Sequence, residues 1–416
     1  MRENRPNFLR THELVAAVLL LLVLAPAAFA GKKKAAPANA PQLQKRVMFD
    51  IRKIVWPNPP AVARIKFMEM YTGQQIDWSQ FESGNKKPKQ KWMDRLAGTK
   101  PASDQIDWSK IPYQLNRTYG VAVDSKGNIY AADQAVGAIF VFNPETKATE
   151  LIRNGHEAHF GLLNALAMDD NDRLFVTDDR LREVLVFNSK HEEESAFGAD
   201  VLGNPGGMAI DTENRFLYVV DTANDVVDVF DADTFKLLRK IGTPGKKHQL
   251  TDPGTFSLPT NVAVDSDGNV YVTDTMNARV EIFDADGKFI SMFGKRGDGP
   301  ADFERPKGIA IDKDGHLWVV DSAQDRVKVF DRTGQLLIYF GQHGEFPGQF
   351  GAAYAITIDK NNRVIVSEQF PGRVQVFRYV SDAEADQAKK EQAEKSSANP
   401  VTSTTTSAQV QGSAAH

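Results

Sequence analysis

Residues 257–294 read SLPTNVAVDSDGNVYVTDTMNARVEIFDADGKFISMFG, and they decide the fold. The stretch divides into four short apolar runs, NVAVD, YVTD, RVEIF and KFISMFG, separated by SDGN, TMNA and DADG. β-Branched and aromatic residues fill the runs, as strands packed on a core require. Gly or Asn stands in each break, where a tight turn needs positive φ. Four strands joined by three tight turns make one small antiparallel sheet.

The phrase occurs six times. Aligned on the aspartate that ends the first strand, the copies fall at Asp124, Asp169, Asp211, Asp265, Asp312 and Asp359, 42 to 54 residues apart. A second acid ends the second strand at Asp133, Asp178, Asp221, Asp274, Asp321 and Glu368. Nine residues later comes a phenylalanine each time: Phe142, Phe187, Phe230, Phe283, Phe330 and Phe377. A period of this length with four strands per unit is the signature of a β-propeller. The wording, clearest in PKGIAIDKDGHLWVVDSAQDRVKVFDRTGQLLIYFG (306–341), resembles the NHL-repeat family over residues 115–380. The resemblance implies an all-β, six-bladed β-propeller of four-stranded antiparallel blades, of the kind carried by exported bacterial NHL-repeat proteins.

The last copy ends with RVQVFRYV (373–380) and lacks a fourth strand. ARIKFMEMYTG (63–73) alternates, ends in glycine and parallels KFISMFG and QLLIYFG, so it is expected to close the ring by pairing with that third strand. Closure would cover an edge that otherwise templates aggregation. VWPNPP (55–60) is expected to be an extended lead-in outside any ladder, because consecutive prolines exclude helix and sheet pairing.

Outside the repeats, the opening MRENRPNFLRTHE and the apolar LVAAVLLLLVLAPAAFA, ending Ala28-Phe29-Ala30, describe a secretory signal peptide, residues 1–30, cleaved after Ala30. Export to the periplasm or the cell exterior follows; the alternative is an uncleaved membrane anchor, for which the 17 residues from Leu14 to Ala30 are short. The chain has no cysteine, which excludes disulfides, a lipoprotein anchor and thiolate metal sites. Residues 31–110 carry a net +9, while 111–380 carry −12 of the total −4. An acidic body disfavours nucleic acid as partner, since phosphate binding needs a basic footprint. A basic, proline-containing lead-in covers 31–62. Residues 74–114 form an insertion with a possible short helix in KKPKQKWMDRLAG and a duplicated QIDWS (75–79 and 105–109), whose Trp78 and Trp108 are candidate anchors. Residues 381–416 are low in complexity and expected to be disordered.

Function in a propeller sits in the rim loops and at the channel mouth. The register two residues before each first strand's leading aliphatic gives Tyr119, Asn164, Gly206, Thr260, Lys307 and Tyr354 as channel-mouth residues. The rim loops add His156, His159, His248 and His343, and the longest of them, TPGKKHQLTDPGTFSLPTN, is the expected seat of specificity; excising QLTDPGTFSLP is the natural test. The architecture also resembles the peptidyl-hydroxyglycine lyases, which implies zinc-ligating histidines at such channel positions. This register holds none, so no metal and no catalytic residue is assigned, and no cofactor is expected; calcium or zinc is the weaker alternative. The strand-end acids each precede a polar turn, where a carboxylate can accept backbone N–H bonds, so they read as turn anchors. The expected function is therefore non-catalytic: an exported binding or scaffold protein holding a protein, peptide or glycan with Tyr119, Asn164, Thr260, Lys307 and Tyr354. The alternative is a metal-dependent lyase or lactonase with its site at the same mouth.

Overall fold

A computed structural model describes residues 50–76, 112–155, 158–244 and 252–398. The expected signal peptide, most of the basic arm, residues 77–111 of the insertion with Trp78 and Trp108, His156, His248 and the Ser/Thr-rich end 399–416 lie outside the described residues.

Six antiparallel sheets form the blades, one for each copy of the repeat: five of four strands and the last of five. In the first blade the strands are Thr118–Val123, Ile129–Asp133, Ala138–Phe142 and Thr149–Arg153, paired strictly in order. The first strands of the other blades are Leu163–Met168, Pro205–Asp211, Pro259–Val264, Pro306–Ile311 and Ala353–Ile358. Each stands at one edge of its sheet, and together these edges surround the central channel. The six phenylalanines after the strand-end acids are all at most 1% exposed and fill the seams between blades. Three of the six first hairpins turn through a positive-φ glycine, Gly127, Gly268 (+81°) and Gly315, and the others through Asp172, Arg215 and Asn362. Gly120 serves a different need. A Cβ there would lie 2.6 Å from the Ala165 Cα, so its absence lets neighbouring first strands approach.

The ring closes as the alternation predicts. A strand β2, Ile65–Tyr71, lies antiparallel to Arg373–Tyr379, with Ile65 opposite Tyr379 and Tyr71 opposite Val374. Ile65, Phe67 and Tyr71 are buried; Phe67 meets Phe377 edge-on at 5.6 Å, and Tyr71 stacks on Phe142 of the first blade at 4.7 Å. One strand thus completes the last blade and sutures it to the first.

Two expectations are corrected. The lead-in does join a ladder: β1, Val55–Trp56, pairs with Lys66 and Ile65 as a fifth strand, and residues 57–60 stay outside. Trp56 earns this place by packing on Phe340 and Phe377, at 5.3 and 5.9 Å. The opening of the tail is also ordered, as helix α1, Asp382–Ala398. Its start is a capping box: the Glu384 carboxylate accepts from the Ser381 N–H at 3.0 Å, and the Ser381 hydroxyl accepts from the Glu384 N–H at 3.4 Å. Arg64 pairs with Asp382, tying the helix to the closing strand.

Candidate functional site at the channel mouth

The strand-end acids do what their position before a turn suggests, and more. Asp178 accepts from the turn N–H groups of Arg180 and Leu181, both at 3.0 Å, and from Gly161 and Leu162 of the incoming rim loop at 2.6 and 2.8 Å. Asp133 does the same for Ala135, Val136, Asn116 and Arg117. One buried carboxylate therefore pins two loops at the mouth of each of these blades. Asp178→Ala would leave four donors to find water, and a loss of about 2–3 kcal/mol is expected by urea unfolding.

These pinned loops position the mouth. Tyr119 and Tyr354, from adjacent blades, place their ring centroids 4.6 Å apart. The Tyr354 hydroxyl donates to Asn164 Oδ1 at 3.2 Å across the ring of blades. Lys307 holds its Nζ 5.6 Å from the Tyr354 ring centroid. Four of the register residues thus form one cluster. Thr260 does not belong to it: it is buried, and its hydroxyl is engaged by Thr275 at 2.7 Å. Gly206 contributes only backbone, its carbonyl accepting from Thr177 at 2.9 Å.

Below the cluster the channel runs to the opposite face as a cavity of about 720 Å³. Its far end carries a collar with one half-buried aliphatic or methionine from each blade: Val123, Met168, Ile210, Val264, Ile311 and Ile358.

Sequence reasoning missed Asp179. The Asn164 amide donates to its Oδ1 at 3.0 Å, placing a carboxylate beside the tyrosines. Burial raises its pKa to about 6, against the Asn164 bond and with the help of neighbouring Asp178. The signal was present: the residue after each strand-end acid is Gln134, Asp179, Thr222, Thr275, Ser322 or Gln369, and only Asp179 is charged. A raised carboxylate pKa favours the folded state while the group is protonated. Its contribution is present below the unfolded value near 3.9 and is lost as pH rises through about 6. Asp179→Asn is expected to flatten stability between pH 4 and 6 and to stabilise the protein at pH 7 by about 1 kcal/mol, after allowing for partial exposure. Thermal melts across that range check it.

On Lys307, burial and then the nearby Arg305 bring the pKa down to about 8. Burial raises that of Tyr354.

The two described rim histidines, His159 and His343, are not drawn into the cluster. His159 is exposed beside Glu193, and His343 is exposed with its Nδ1 2.7 Å from Asp325 Oδ2. The longest rim loop is fastened at its base, where Thr243–Pro244 runs parallel to Thr255–Phe256 and Phe256 is wholly buried against Phe283. Excising QLTDPGTFSLP would therefore remove a core residue along with the loop. Removing 246–251 alone is expected to leave the melting temperature within about 3 °C, whereas Phe256→Ala should cost about 3–5 kcal/mol.

Among the described residues, one group of three acidic or histidine side chains has ligand atoms within 4.8 Å: Asp312, Asp314 and His316. It lies in a hairpin turn at the other face, and Asp312 Oδ2 is already engaged by His316 Nδ1 and Trp318 Nε1, at 3.0 and 2.9 Å.

A family model described as a 6-bladed beta-propeller matches residues 256–327. The chain is 34% identical over 205 residues to human NHL repeat-containing protein 3, covering 44% of this chain and 56% of that protein. It is 30% identical over 182 residues to a probable peptidyl-alpha-hydroxyglycine alpha-amidating lyase of Caenorhabditis elegans, covering 43% and 44%. It spans 19% to 56% of the length of the curated relatives it matches. Among solved structures, a Bacteroides thetaiotaomicron protein of unknown function shares the fold at TM-score 0.53 and 18% identity, over 64% of this chain and 70% of that one. Among the described residues no helix is long and apolar enough to cross a membrane.

Proposed function

Starting from the chain as a six-bladed β-propeller of NHL-type repeats, we propose that it is an exported, non-catalytic binding protein that holds a protein, peptide or glycan over the channel mouth. The observation that carries this reading is the mouth cluster: two touching phenol rings, an amide and an ammonium that no carboxylate among the described residues pairs with. Aromatic faces and long cations are the groups on which recognition energy concentrates, and here a rigid ring of sheets holds them in place. The test is binding of peptide and glycan arrays to wild-type protein and to Tyr119→Ala. Retention of every hit by the variant counts against the mouth.

A metal-dependent lyase is the second reading, favoured by the alignment to the nematode lyase. Metal analysis of protein purified without chelator separates the two. The binding reading predicts less than about 0.1 equivalent of zinc or calcium after dialysis, the occupancy of a site lacking converging ligands.

A further inference from the structure

Only two lysines among the described residues are not exposed, Lys307 and Lys328. Lys328 is fully accounted for: its ammonium donates to the Asp302 carbonyl and lies 3.3 Å from Asp321 Oδ2. Among the described residues Lys307 has no such partner. Its amine is half-buried at the mouth, with the Tyr354 ring as its neighbour and the Arg305 guanidinium as the charge acting on it. A half-buried amine against an aromatic ring, with a second cation acting on it and no carboxylate among the described residues to hold its proton, is in the environment in which lysine becomes a nucleophile. A structural lysine is arranged the other way, as Lys328 is.

We propose that Lys307 captures carbonyl-bearing ligands covalently and reversibly, as an imine at the channel mouth. The inference rests on the reading of the mouth as the ligand site. In the step, the neutral Nζ attacks the carbonyl carbon. A C–N bond forms, the π electrons move to oxygen, and the proton shed by nitrogen is taken up there. The carbinolamine hydroxyl, protonated by solvent, leaves as water while the nitrogen lone pair closes the C=N bond. The product is a cationic iminium, and the charge remains over the Tyr354 face, where the ring quadrupole favours it. Hydrolysis reverses the sequence, so no oxidant or reductant takes part. Burial and Arg305 keep the free amine accessible near neutral pH, lowering the Lys307 pKa to about 8 from the usual lysine value.

The experiment is reductive trapping of the full chain at pH 7 with formaldehyde and sodium cyanoborohydride, which freezes each imine as a methylated amine, read by peptide mass mapping. At limiting aldehyde Lys307 is expected to be methylated roughly tenfold or more ahead of exposed lysines such as Lys126 and Lys288, from its larger neutral fraction. Lys307→Arg should abolish that early product while leaving the rest of the map unchanged. Methylation of Lys307 only at the pace of the exposed lysines overturns the imine proposal and leaves an open mouth. A Lys307 that resists excess reagent overturns both this proposal and the mouth as a ligand site.

Discussion

Deleting residues 50–73 is expected to abolish the cooperative thermal transition and to leave an aggregating chain. The segment contributes Ile65, Phe67 and Tyr71 to the core, each buried, and the Trp56 ring packed on Phe340 and Phe377. Burying one large apolar side chain contributes about 1.5–3 kcal/mol, so these four together approach the entire stability of a typical domain. The deletion also bares the Arg373–Tyr379 strand, whose Val374, Val376 and Phe377 are fully buried in the intact ring. An open, apolar strand edge is a template for other chains. Circular dichroism melts and light scattering of the deleted protein report the loss. A synthetic peptide of residues 50–73 should restore the transition in trans if closure is the cause. A cooperative melt within a few degrees of the full chain, without peptide, would show that the ring does not need this strand.

Tyr354→Ala is expected to weaken ligand binding by about a hundredfold, the scale of an interface hot spot. Tyr354 is the one residue of the mouth that touches the other three: Tyr119 through a tilted ring contact, Lys307 through the cation contact, and Asn164 through its hydroxyl. Removing it separates them. Tyr354→Phe keeps the ring and loses only the bond to Asn164, so a drop of about tenfold at most should follow. The difference between the two variants, measured by calorimetry on the same ligand, separates ring contact from hydrogen bonding. Equal losses from both would place the weight on the hydroxyl and undo the role given to the rings.

The fold was legible because one physical pattern is repeated six times. The acid before each turn, the phenylalanine nine residues later and the positive-φ residue of each first hairpin are each demanded by the local geometry of one blade. Ring closure was legible for the same reason, since Ile65–Tyr71 carries the alternation that the last blade lacks. The site was only half legible. Register placed Tyr119, Asn164, Lys307 and Tyr354 at the mouth, but it could not tell that Thr260 would turn aside to Thr275. Asp179 escaped notice because it stands beside Asp178, and a pair of aspartates reads as turn chemistry until one is seen to point at Asn164. The buried Phe256 was hidden in what reads as a polar loop. The helix after Ser381 was missed because its charged, uniform composition masks a Ser-x-x-Glu box.

The most direct test of the account is to take the strongest ligand from the peptide and glycan arrays and measure its affinity for wild-type and Tyr354→Ala protein, each with and without EDTA. Binding that is indifferent to EDTA and lost in Tyr354→Ala is the predicted result. Binding that vanishes with EDTA and survives in Tyr354→Ala would contradict the account and place the activity at a metal away from the tyrosine cluster.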